Sequence, residues 1–109
     1  MASDPQLVKR LGDAFAAYPD LEARRLFGGV CFMLNGNMCI GVHNRNLIIR
    51  VGLPTADALM KEPHIRPMDL TGKIMKGWAT VLPEGIQQES DLLAYTKLAY
   101  DFVETLPRK

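Results

Sequence analysis

The sequence is poor in several residue types and patterns, and each scarcity excludes a class of protein. Its 109 residues include two cysteines and one tryptophan. Two cysteines allow a single bridge, so the chain is not a disulfide scaffold. No apolar run approaches the ~20 residues of a membrane-spanning helix, and we expect no membrane contact. The opening Met1-Ala2-Ser3-Asp4 lacks a basic segment followed by an apolar one, so we expect no secretory signal and a cytoplasmic location.

Net charge is also small, at +1 for pH 7, which excludes a uniformly basic nucleic-acid binder. The bases are nevertheless unevenly placed. The stretch from Arg24 to Lys76 holds eight bases and three acids, a net +5, and the segments on either side are each −2. Because scattered bases more often form a solvated face than a binding patch, nucleic acid is a possible but less favoured partner.

The composition that remains is that of a folded domain. Hydrophobic residues make up 48% of the chain and charged residues 23%, values that are ordinary for soluble globular proteins. A chain of this length buries about 65% of its unfolded surface on folding. We therefore expect residues 1–109 to form a single domain around one core.

Hydrophobic periodicity predicts three helices and up to six strands. The three predicted helices run from Asp4-Pro5 to Pro19, from Pro54 to Pro63 and from Ser90 to Pro107. The predicted strands are residues 24–27, 30–34, 37–43, 46–51, 65–70 and 75–82, with a turn at 71–73 between the last two. This order favours an α+β fold of two layers, in which the helices cover one face of an antiparallel sheet of about five or six strands.

Two turn signals set the predicted register of the central strands. Asn35-Gly36 is typical of a type I′ hairpin turn, and Asn44-Arg45 offers a second two-residue turn. With these turns one face is wholly apolar, and we assign it to the core: Cys31, Met33, Met38, Ile40, Val42, Leu47, Ile49 and Val51. The opposite face is mixed: Phe32, Leu34, Asn37, Cys39, Gly41, His43, Asn46, Ile48 and Arg50. Since Cys31 and Cys39 fall on opposite faces in this register, we expect free, buried thiols. A three-residue first turn is the alternative, and it would place Cys31 opposite Cys39.

The mixed face is the predicted interaction surface, because a contiguous apolar patch usually marks a partner. Apolar side chains stand among polar ones there, and a tryptophan and three bases are candidates to join them. The candidate residues are Phe32, Ile48, Arg50, Lys73, Lys76 and Trp78. We expect a protein partner or a second copy of the chain to bind this face or the sheet edge. The alternative is that tails or loops of the chain cover the patch.

Motifs for catalysis or metal binding are not predicted. Cys39 and His43 share a predicted face, but four residues along a strand separate them by about 13 Å, too far for zinc bonds of roughly 2.0–2.3 Å. Ser90 suits a helix start, and Gly72-Lys73 is followed by Ile74 where a P-loop needs Ser or Thr. We predict no catalytic residue, metal or cofactor and a non-enzymatic protein, with a dispersed, unrecognised enzyme site as an alternative.

Four motifs together resemble the TfoX N-terminal domain family. They are Arg25-Leu26-Phe27-Gly28-Gly29-Val30, Asn35-Gly36-Asn37-Met38, Arg66-Pro67-Met68-Asp69-Leu70-Thr71-Gly72-Lys73 and Met75-Lys76-Gly77-Trp78. The ending Leu106-Pro107-Arg108-Lys109 is similar to that of the family's short, stand-alone members. The resemblance implies a compact α+β domain with an antiparallel sheet and implies no catalytic or metal residue. It also implies a regulatory role, because the family's two-domain members regulate DNA-uptake competence by promoting transcription.

Overall fold

The computed structural model describes residues 5–18, 20–26, 29–68 and 75–108, and within them the fold is α+β, as predicted. The helices are α1 (Pro5–Ala14), α2 (Leu53–Leu59) and α3 (Glu89–Glu104). The strands are β1 (Leu21–Leu26), β2 (Gly29–Leu34), β3 (Asn37–His43), β4 (Asn46–Arg50), β5 (Ile65–Pro67) and β6 (Trp78–Val81). Two short 3₁₀ turns, Phe15–Ala17 and Pro83–Ile86, complete the described elements.

The six strands form one antiparallel sheet in the order β1-β2-β3-β4-β6-β5. The first four make the predicted meander. The chain then passes through α2 to β5 at the far edge, and β6 returns between β5 and β4. β5 and β6 are shorter than predicted, and α3 begins at Glu89, so that Ser90 lies inside its first turn. The predicted cap at Asp4, the stop at Pro19 and the turn at 71–73 lie outside the described residues.

The helices pack on one face of the sheet, where the core lies. Helix α3 crosses β2, β3 and β4 and buries one stripe of side chains at helical spacing: Leu92, Thr96, Ala99 and Val103. The hydroxyl of Thr96 donates to the carbonyl of Leu92 at 2.8 Å, which satisfies the polar atom in this stripe. Within the described residues, none of the helices has both the length and the apolar character needed to cross a membrane.

The two predicted hairpin turns are confirmed. Asn35 and Gly36 have φ angles of 54° and 84°, as a type I′ turn requires, and Leu34 pairs with Asn37. The second turn pairs His43 with Asn46.

A β-bulge at Cys39 corrects the predicted faces of the first hairpin. Met33 pairs with Met38, but Phe32 then pairs with Ile40, so that Cys39 is an extra residue in β3. Because side chains alternate along a strand, one extra residue in β3 exchanges the faces of the β3 residues between the turn and the bulge and of the whole of β2, where Phe32 now opposes Ile40 of the core. The predicted faces are therefore wrong for β2 and the start of β3 and right for β4 and the end of β3.

The exchange moves residues in both directions. Phe32, Leu34 and Cys39 belong to the core beneath the helices, whereas Cys31, Met33 and Met38 lie on the opposite face. The two cysteines still occupy opposite faces, and both are buried free thiols, as predicted.

The sheet face away from the helices is called the second face below. Alternation from the observed register places these residues on it: Glu22, Arg24, Cys31, Met33, Met38, Gly41, His43, Asn46, Ile48, Arg50, Arg66, Trp78 and Thr80. Gly41 pairs with both Cys31 and Ile48. The methyl group of Met38 lies over Gly41, only 2.9 Å from where a Cβ would stand. A small apolar cluster therefore surrounds this glycine.

Candidate functional site

Two of the six predicted interaction residues meet on the second face. Arg50 and Trp78 are direct partners across β4 and β6, and the guanidinium carbon of Arg50 lies 5.5 Å from the centre of the indole ring. Both side chains are half-buried. This geometry is a cation–π contact, which fixes one charged and one aromatic group in a single surface unit.

The other four predicted residues have different positions. Phe32 is wrong as an interaction residue, because the bulge turns it into the core, where its ring centre lies 4.6 Å from that of Phe15. Ile48 is on the second face as predicted, but it is 2% exposed and offers no apolar patch. Lys76 is exposed just before β6. Lys73 lies outside the described residues.

A cleft of about 190 Å³ lies beside Trp78, between α2 and the start of β6. Helix α2 and the residue after it form one wall, with Leu53, Ala56, Asp57 and Met60 at the i, i+3, i+4, i+7 spacing of a helix face. The full lining is Leu53, Ala56, Asp57, Met60, Pro67, Met75, Lys76, Gly77 and Trp78. Leu53 is 49% exposed, so a large apolar side chain faces solvent at this cleft.

Two glycines fix the walls of the cleft relative to each other. The carbonyl of Gly77 accepts hydrogen bonds from the amides of Val51 and Gly52, at 2.9 and 3.0 Å. Gly52 and Gly77 both have positive φ angles, 88° and 85°, which favour glycine. These bonds tie the start of α2 to the start of β6, so the cleft is a feature of the folded backbone.

The charged groups around the cleft are mainly cations. Lys76 and Asp57 line it, both exposed, and Arg50 covers a face of Trp78. Arg66 of β5 is exposed next to the lining residue Pro67, and its guanidinium donates to the carbonyls of Pro63 and Ile65 at 2.7 and 2.8 Å. Lys76 and Asp57 belong to the lining itself, whereas Arg50 and Arg66 lie on the second face beside the lining residues Trp78 and Pro67. With these two neighbours the cations outnumber the carboxylate, and this group of charges is called the basic rim below.

The cleft extends beyond the residues that sequence reasoning selected. Lys76 and Trp78 were among the candidates, whereas the apolar lining from α2, β5 and Met75 was missed. A signal existed in α2, since Leu53, Ala56 and Met60 follow helical spacing, although Leu53 precedes the predicted helix start at Pro54. The opposing wall has no comparable signal, because its position depends on where β6 enters the sheet.

His64 is held in a structural contact. Its Nε2 lies 2.7 Å from the hydroxyl of Tyr95, and its ring packs directly against Gly85. Burial, and to a smaller extent Glu62 and Asp91, raise the pKa of Tyr95 above its ordinary value. In the described ranges, no three His, Cys, Asp or Glu side chains gather as a metal-binding group would.

Burial also governs the two thiols. It raises the pKa of Cys39 to about 12, an effect that the positive charge of Arg50 partly opposes. Burial likewise raises the pKa of Cys31. Since the thiolate is the reactive form, these raised pKa values keep both thiols protonated and weakly nucleophilic in the folded state.

The fold and the cleft together define a small α+β module with an apolar cleft beside a basic rim. The sequence model of the TfoX N-terminal domain family matches residues 13–103 of the 109-residue chain. The chain therefore belongs to the TfoX N-terminal domain family, as its motifs predicted. No curated protein matches it with significant similarity.

Proposed function

We propose that this chain is a non-enzymatic regulatory module that acts in the cytoplasm by docking a partner protein. The docked segment lies in the cleft between α2 and β6 and carries one large apolar side chain flanked by carboxylates. The observation that carries the proposal is the pairing of an exposed apolar lining with a cationic rim in one backbone-fixed groove.

The size of the cleft favours a side-chain anchor over a free small molecule. Small-molecule pockets commonly measure about 300–1,000 Å³, and this cleft measures about 190 Å³. A single leucine, methionine or phenylalanine side chain suits such a volume. Leu53 and Trp78 supply the apolar surface that would close on it, as anchors at protein interfaces require.

The rim selects the chemistry around the anchor. Lys76 at the cleft and the neighbouring Arg50 and Arg66 outnumber Asp57. Carboxylates on the partner are therefore attracted to the rim, and basic side chains on the partner are repelled. Complementary charge raises the association rate and discriminates between partners more than it raises affinity.

A protein partner is favoured over nucleic acid for a specific reason. Single-stranded nucleic acid binds by stacking bases on open aromatic rings, and one face of Trp78 is already covered by Arg50. The family supports a regulatory reading, because its named two-domain members are regulators of competence.

Trp78 provides the direct readout, since it is the single tryptophan of the chain. Its fluorescence should change saturably when a short peptide with a central phenylalanine between aspartates is titrated into the protein. Two matched peptides serve as comparison, one with lysines in place of the aspartates and one with alanine in place of phenylalanine. Both should bind at least about tenfold more weakly.

Two exposed leucines make the matched variants. Leu53→Ser should weaken binding of the acidic peptide. Leu98 lies on α3 and is 39% exposed, and Leu98→Ser should leave peptide binding unchanged. The proposal is contradicted if all three peptides bind equally well, or if Leu53→Ser and Leu98→Ser weaken binding of the acidic peptide to the same extent. Salt-sensitive binding of a single-stranded oligonucleotide in place of the peptide would identify the cleft as a nucleic-acid site and would also contradict it.

A further inference from the structure

A second cleft, of about 360 Å³, lies where α1, the β3–β4 turn and the 3₁₀ turn Pro83–Ile86 meet. It shares no residue with the cleft beside Trp78. Its lining is Gln6, Leu7, Arg10, Arg45, Pro83, Ile86 and Gln87. Two arginines that are distant in sequence therefore open onto one hollow, whose lining is mainly polar.

Arg10 is preset in this cleft by the backbone. Its Nη2 donates to the carbonyl of Ile86 at 2.6 Å, and the side chain is 27% exposed. The same guanidinium holds a carboxylate already, since Nη2 and Nε lie 3.3 and 3.4 Å from one oxygen of Glu89. The anchored fork of an arginine is well suited to carboxylate and phosphate oxygens.

The carboxylate that Arg10 holds is a weak occupant. Glu89 is 57% exposed, and its contacts to Arg10 are long and made by a single oxygen. Exposed ion pairs of this kind contribute little to stability. An anion that reaches Arg10 and Arg45 together can therefore displace Glu89 or share the guanidinium with it.

We infer that this second cleft binds a small anion that carries a phosphate or carboxylate group, held between Arg10 and Arg45. The inference does not depend on the proposed docking function. The cleft volume falls within the range of small-molecule sites, and its mainly polar lining suits a charged ligand. Leu7, Pro83 and Ile86 supply the apolar surface, and the two guanidinium groups supply the charge.

Isothermal titration calorimetry with inorganic phosphate and, separately, with citrate tests the inference on the full chain. Saturable binding of either anion is expected. Binding of phosphate identifies a phosphate group, and binding of citrate a carboxylate group, as the part of the ligand that the cleft recognises. Arg45→Gln is the main variant, because Arg45 lies exposed at a turn. It should weaken binding at least about tenfold, whereas Glu89→Gln should tighten it by removing the competing carboxylate.

Arg108→Gln is the charge-matched control, since Arg108 is an exposed arginine outside the cleft. It should bind the anion as the unchanged chain does. The inference is overturned if neither anion binds saturably, if Arg45→Gln binds normally, or if Arg108→Gln weakens binding as much as Arg45→Gln. Thermal melting of each variant verifies that all of them are folded.

Discussion

The guanidinium of Arg50 covers a face of the Trp78 ring, and the same two residues are direct partners across β4 and β6. The contact exists because β6 enters the sheet between β4 and β5. It places the aromatic wall of the cleft and a cation of its rim in one rigid unit. Arg50 and Trp78 are far apart in the sequence, so the pairing of β4 with β6 is what brings them together.

Loss of this contact should be measurable in Arg50→Gln. The free energy of unfolding should fall by about 0.5–1 kcal/mol, the size of a partly exposed cation–π contact, and tryptophan emission should shift to longer wavelength as the ring gains water. Arg24→Gln, an exposed arginine on the second face, should change neither quantity. An unchanged emission spectrum in Arg50→Gln would show that the contact does not persist in solution.

Three glycine-to-alanine variants separate backbone strain from crowding. Gly77→Ala should destabilise by about 1 kcal/mol, because φ is positive but the new methyl meets only ordinary contacts. Gly52→Ala should cost about 3 kcal/mol, because φ is positive and the methyl would also meet the rigid Phe102 ring at 2.7 Å. Gly41→Ala should cost about 1 kcal/mol or less, since only the flexible end of Met38 must move. Denaturant unfolding measures all three losses of stability. Gly52→Ala should show the largest loss, and a loss of the same size in Gly77→Ala or Gly41→Ala would contradict this prediction.

The thiols predict a loss of stability in alkaline solution. The folded chain keeps the proton on Cys39 up to a pKa of about 12, whereas the unfolded thiol loses it near 9.0. Unfolding therefore releases a proton between these two pH values. The contribution of the Cys39 thiol to the free energy of unfolding is fully present below about pH 9 and is lost as the pH rises toward about 12.

Cys39→Ala isolates this contribution from those of other groups. The tyrosines and lysines that titrate in the same range remain in the variant, so the fall in stability with pH should be shallower in Cys39→Ala than in the unchanged chain. Alkylation at pH 8 should be slow for both cysteines until the protein unfolds. Rapid native-state alkylation, or identical pH slopes, would refute the burial argument.

Tyr95→Phe tests the contact that joins α3 to the start of β5. The variant removes the hydroxyl 2.7 Å from Nε2 of His64 and should lower the free energy of unfolding by about 1 kcal/mol. Tyr100→Phe is a matched tyrosine variant on the same helix, away from His64, and the loss should be smaller there. Equal losses in the two variants would mean that the His64 contact contributes nothing specific.

Local signals predicted the parts of the fold that local chemistry decides. Asn35-Gly36 must adopt positive φ angles, and the apolar periodicity of 92–103 needs a covered sheet, so the hairpin, the last helix and the layer arrangement followed from the sequence. The family motifs pointed to the same fold. These features agree because turn chemistry and hydrophobic spacing act within a few residues.

The bulge at Cys39 escaped prediction because both alternating sets of β2 are apolar. Cys31, Met33 and Met38 form as plausible a core face as Phe32 and Leu34, so period-two alternation cannot detect one extra residue between them. The cleft escaped for a different reason. Its two walls, α2 and the start of β6, meet only after the sheet has assembled, and Leu53 carries no signal of the partner wall.

The most direct measurement of the central claim is photo-crosslinking inside the cell of origin, with the crosslinking amino acid placed at position 53 or, in the control, at position 98. Position 53 should give adducts whose captured peptides carry an apolar residue beside carboxylates, and Lys76→Glu should lower the yield of these adducts. Adducts of the same composition from both positions, capture of nucleic acid or of the chain's own copies at position 53, or captured peptides without carboxylates would contradict the claim.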